Sequence, residues 1–171
     1  MSLNKIFMKI GFLNYLIFSG LFTNIINPNR SIALTQENID IPKVFSYRSS
    51  SCSCCKKWIN HLRDNGLEVV DNIVEDVSAI KIQYQIPNNL RSCHSAQIGK
   101  YTIEGHVPIE SINKLLEEKP LISGLAVPGM PHGSPGMEIH SHESHSHDYE
   151  SYEVVAFSES GKTKIFDKIS P

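Results

Sequence analysis

Three of the four cysteines in this 171-residue chain, Cys52, Cys54 and Cys55, fall within four positions, and Cys93 stands alone downstream. The residues that follow the triple show why this cluster constrains the fold. Cys55, Trp58, Ile59 and Leu62 recur at i, i+3, i+4 and i+7, which makes one apolar helical stripe, and Gly66 is placed to stop it. The C-x-x-C pair Cys52 and Cys55 therefore spans a helix start, where unpaired N–H groups and the helix dipole favour thiolate over thiol. Lys56 and Lys57 act in the same direction. A thiolate is both the better nucleophile and the better metal ligand, so this pair alone leaves redox work and metal binding open.

The additional sulfur bears on that choice. A dithiol oxidoreductase needs only Cys52 to attack and Cys55 to resolve. Three sulfurs on one loop plus Cys93 match a four-coordinate Zn(II) site or a Cu(I) thiolate cluster. Two structural disulfides are the third reading, and of the possible connectivities only Cys52–Cys55 with Cys54–Cys93 avoids a strained or very tight ring.

The N-terminus reads as a leader rather than as part of the fold. Lys5 and Lys9 precede an uncharged run from Ile10 to Ile26, and Ser31-Ile32-Ala33 offers small residues at the positions a signal peptidase reads. Residues 1–33 are expected to be a signal peptide cut after Ala33, with an uncleaved anchor as the competing reading. Cleavage removes three cations and no acid, taking the formal charge from −2 to −5. Such a chain has no basic field for nucleic acid and, once cut, no membrane segment. It is expected in the periplasm or otherwise exported, where disulfides are stable.

The mature domain is expected over residues 42–171 with α/β architecture. Val44–Tyr47 reads as a strand, the stripe above as a helix and Leu67–Val74 as a second strand. Asp76 caps a second helix with Val77, Ile80 and Tyr84 inward, and Pro87 ends it. Ala96–Glu104 reads as a hairpin turning at Gly99-Lys100, with Ala96, Ile98, Tyr101 and Ile103 on one face. Pro108 opens a third helix lined by Ile109, Ile112, Leu115 and Leu116. Beyond Pro120 the expectation is a Gly/Pro loop over residues 124–138, a His-rich insertion over 140–147 and a hairpin from Tyr152 to Asp167.

Further soft or borderline donors lie in these segments. His94 adjoins Cys93 and is a ligand or a donor to one. His106 is either a ligand or a group that satisfies a turn. Met130 and Met137 suit Cu(I), with gap-filling under the loop as their expected main role. His140, His142, His145 and His147 form a tract able to chelate Cu(II), Zn(II) or Ni(II) weakly. The Gly-rich segment lacks the G-K-[ST] ending of a phosphate loop, and no Ser-His-Asp order suggests a hydrolase.

Four motifs in order carry a family resemblance: Tyr47–Trp58 around the triple, Leu90–His94, Ile103–Pro108, and Gly124–Pro131 with Gly133–Glu138. Together they resemble the CopG-like family, also known as domain of unknown function family 411. The resemblance implies a thioredoxin-like fold in βαβαββα order with a C-terminal β-hairpin extension, a periplasmic setting and copper resistance. It also implies that Cys52, Cys54, Cys55 and Cys93 are the family's cysteines. In a thioredoxin core a cis-proline loop faces the C-x-x-C helix, and this chain places Cys93-His94 there. The expected function is Cu(I) binding by the four thiolates, with zinc as the alternative metal and other periplasmic copper-handling proteins as partners. A thioredoxin-like thiol-disulfide or copper oxidoreductase using Cys52 and Cys55 is the alternative function.

Overall fold

The computed structural model describes residues 42–138 and 149–170. The expected leader and the tract His140, His142, His145 and His147 lie outside the described residues. Strand β1 (Val44–Arg48) leads into α1 (Ser53–Asp64), then β2 (Val69–Ile73), α2 (Val77–Gln83), a 3-10 turn (Asn88–Leu90), β3 (Ser95–Ile98), β4 (Tyr101–Glu104) and α3 (Ile109–Glu118). Three further strands follow, β5 (Gly124–Ala126), β6 (Tyr152–Phe157) and β7 (Thr163–Ile169). All seven join one mixed sheet in the order β2-β1-β3-β4-β5-β6-β7.

Alternation within the strands assigns the two faces of the sheet. Ala96, Ile98, Ile103, Leu125, Val154 and Ala156 pack with Trp58, Ile59 and Leu62 of α1 and Ile109, Ile112 and Leu115 of α3. The hairpin register pairs Ala96 with Ile103 and Ile98 with Tyr101, so the inward set expected from the sequence is the inward set found. On the other face a smaller cluster joins Ala126 and Phe157 to Ile86 and Leu90.

Two expectations are corrected. Residues 124–138 are not wholly loop, because Gly124–Ala126 pairs in parallel with Thr102–Glu104 and antiparallel with Val155–Phe157. This three-residue strand makes the C-terminal hairpin continuous with the main sheet. Val77 and Ile80 of α2 and its C-cap Tyr84 are only half-buried, and the buried residue of α2 is Lys81. A buried carboxylate on β4, described below, draws that ammonium inward, and a local apolar count cannot register it.

Candidate metal centre

The site forms where the start of α1, the segment before β3 and the segment after β5 meet. Cys52 is the N-cap of α1, with an extended backbone, and its sulfur accepts the Cys55 N–H at 3.3 Å. The sulfur thus satisfies a donor that every helix start leaves unpaired. Cys52 and Cys55 are joined as a disulfide, while Cys54 and Cys93 are free thiols. Of the two sequence-compatible disulfides, the first is present and the second is not. The Sγ atoms of Cys52, Cys54, Cys55 and Cys93 all lie within 4.8 Å of one another. Cys55 is fully buried, whereas the other three are partly accessible.

A second group overlaps the first through Cys93. His94 Nδ1 lies 3.3 Å and His106 Nε2 3.1 Å from the Cys93 sulfur. The Pro135 carbonyl can only accept, so its 2.8 Å contact with His106 Nδ1 puts the proton on that nitrogen and turns the Nε2 lone pair toward Cys93. Burial pushes the Cys93 thiol up to about 11, and neighbouring Cys54 adds to the shift. At neutral pH Cys93 keeps its proton until a metal or an acceptor takes its place. Burial also lowers His106, and lowers His94 well below the usual imidazole range, so both rings are neutral. His94 packs against Trp58 with ring centroids 4.4 Å apart and planes tilted by 46°, and the Trp58 indole N–H donates to the Val107 carbonyl at 2.8 Å. The Nε2 atom of His94 is buried without a hydrogen-bond partner.

The segment after β5 supplies the outer wall. A cavity of about 420 Å³ opens onto Cys54 and is lined by Lys57, Met130, His132, Met137 and Glu138 among others. Met130 is 50% exposed and Met137 half-buried, so the expectation that they fill core gaps is corrected. Their thioethers line the cavity beside Cys54, while the buried part of this segment is Ser134-Pro135-Gly136, seated against α1. His132 also lines this cavity, although the sequence reading did not single it out. A larger cavity of about 630 Å³, lined by Gln83, Tyr84, Gln97, Thr102 and Ser123 among others, holds neither Cys nor His. Donor chemistry, not size, therefore marks the smaller one as the functional candidate.

A family model described as "Protein of unknown function, DUF411" matches residues 90–137. A solved structure named copper resistance protein CopG, form 2, is similar, with 38% identity over 76% of this chain and 99% of that chain and a TM-score of 0.68. Form 1 gives 37% identity, 77% and 99% coverage and the same TM-score, 0.68. This chain belongs to the CopG-like DUF411 family. No curated protein matches it. The CopG-like assignment agrees with the resemblance carried by the cysteine motifs, and the family match itself spans Cys93, His94, His106 and the loop bearing Met130 and Met137. Among the described residues, no helix is long and apolar enough to cross a membrane.

Proposed function

We propose that this CopG-like protein binds copper in an exported compartment, holding Cu(I) on the thiolates of Cys52, Cys54, Cys55 and Cys93. The observation that carries this reading is the convergence of four sulfurs within 4.8 Å, three from one helix start and one from a separate loop. Thiolates select soft ions, and sulfurs this close can bridge more than one of them. His94 and His106 beside Cys93, and Met130 and Met137 beside Cys54, add soft or borderline donors around the same centre. The solved relatives are named copper resistance proteins, which supports copper over zinc. Four-sulfur ligation requires the Cys52–Cys55 bond to be reduced.

That same bond favours a second reading, a thioredoxin-like thiol-disulfide or copper oxidoreductase. The disulfide spans a helix start with Cys52 accessible and Cys55 buried, which suits an attacking and a resolving sulfur. The order β2-β1-β3-β4, with β1 and β2 parallel and β3 antiparallel to β1, supports a thioredoxin-like core, with Cys93 just before β3 where the proline loop of that fold would lie. The two activities are compatible in one site that cycles between disulfide and metal-bound thiolates.

Competition of reduced protein against a Cu(I) chelator tests the assignment. Retention of Cu(I) far above Zn(II) is expected, and equal retention of zinc in a single tetrahedral site would overturn it. Export is read by N-terminal mass analysis, which is expected to place the first residue near Leu34. Recovery of residues 1–33 in a membrane fraction would favour an anchor.

A further inference from the structure

A buried ion pair lies directly beneath the Cys93 segment, on the α2 face of the sheet. Lys81 of α2 and Glu104 of β4 meet at 2.6 Å, with side-chain exposures of 7% and 0%. The same Glu104 oxygen, Oε1, accepts the Ser92 N–H at 2.5 Å, and Oε2 accepts the Ser95 hydroxyl at 2.5 Å. Lys81 also donates to Ser95 Oγ at 3.0 Å. Only Cys93 and His94 separate the two serines, so one carboxylate grips both ends of the segment that carries the fourth sulfur. From the other side, the Gly105 N–H donates to the His94 carbonyl at 3.0 Å.

We propose that the Lys81–Glu104 pair is a positioning device that holds Cys93 opposite Cys54. Desolvating two charges offsets most of their attraction, so such a pair adds little stability over packed apolar side chains. What apolar residues cannot supply here is a fixed acceptor for the Ser92 N–H and the Ser95 hydroxyl. Lys81 holds the carboxylate in place through its 2.6 Å contact, and the carboxylate in turn fixes the Ser92 backbone before Cys93 and the Ser95 side chain after His94. The inference rests on the reading of Cys93 as part of the sulfur site, and extends it to two residues that hold no metal themselves.

The test uses no metal. In a Cys52→Ser, Cys55→Ser background, Cys54 and Cys93 are the remaining thiols. Glutathione disulfide oxidises them to one S–S bond and leaves two reduced glutathiones, so equilibration in a glutathione buffer followed by mass spectrometry gives their effective concentration. Lys81→Met with Glu104→Leu should lower that value at least about tenfold while circular dichroism stays native. Lys81→Met with Glu104→Gln keeps an acceptor for Ser92 and should recover most of the loss. An unchanged value in the Leu variant, or a Gln variant no better than the Leu variant, overturns the proposal. Should the Leu variant not fold, hydrogen exchange at the Ser92 amide of the parent decides. Exchange at least about tenfold slower than at exposed Ser51 supports the grip, and equal rates overturn it. Failure of the native protein to bind Cu(I) would sink the copper reading and leave this result standing.

Discussion

Replacing Gly136 by Ala asks whether the segment after β5 is seated on the sulfur-bearing helix or merely lies near it. Gly136 has φ +90°, and a Cβ there would meet the Cys54 carbonyl oxygen at 2.6 Å and the Trp58 nitrogen at 2.9 Å. Both are backbone atoms of α1 and cannot swing aside as a side chain would. Gly129 in the same segment is a matched control, with φ +72° and nothing within 4 Å of a Cβ. The left-handed backbone costs a residue other than glycine about 1–2 kcal/mol, which both substitutions incur. Overpacking adds about 1–3 kcal/mol at Gly136 alone. Gly136→Ala should therefore lose about 2–5 kcal/mol and Gly129→Ala about 1–2 kcal/mol, so the contact itself accounts for the difference. Urea unfolding of metal-free protein with the Cys52–Cys55 bond intact measures both, with similar m-values confirming that the unfolding reaction is unchanged. Equal losses at the two glycines would refute the close seating of this segment on α1. Such a result would also count against the 2.8 Å contact by which the Pro135 carbonyl sets the His106 tautomer.

Burial holds His94 and His106 below their unfolded range, so the stability linked to their neutral forms is present above about pH 6.5 and falls as acid charges them. The urea midpoint of metal-free protein should thus be lower at pH 5 than at pH 7.5, and a flat profile would contradict the buried neutral rings. Cys93→Ser should sharply lower Cu(I) affinity or stoichiometry, as chelator competition would report, while leaving disulfide exchange by Cys52 and Cys55 nearly intact. Unaltered copper binding would remove Cys93 from the ligand set. Deleting residues 140–147 should spare the tight site, because the four sulfurs within 4.8 Å of one another already supply a soft donor set. Loss of tight binding in that deletion would move the site to the histidines.

The parts of this molecule legible in the sequence are those set by short-range chemistry. The stripe from Cys55 to Leu62 and the Ala96–Glu104 alternation could each be read within a dozen residues, because helix and strand periods repeat locally and one buried face enforces them. The triple Cys52, Cys54 and Cys55 was visible as reactive for the same reason, since a helix start acts on its own first turn. Gly124–Ala126 was not legible as a strand, having too few residues to show a period. It is one because β4 and β6 supply its hydrogen bonds from both sides. Nor could the sequence bring His106, 13 residues away, to Cys93, or choose between one disulfide and two. Those outcomes depend on which groups meet across the fold. Lys81 and Glu104 are the clearest case: 23 residues apart, they read as two ordinary charges, and only the docking of α2 over β1 and β3, with the Lys81 side chain reaching Glu104 on β4, removes the water that would otherwise solvate each of them. Sequence alone determined where the sulfur chemistry lies, and tertiary structure decided which side chains surround it, because burial and contact belong to the folded chain rather than to any stretch of it.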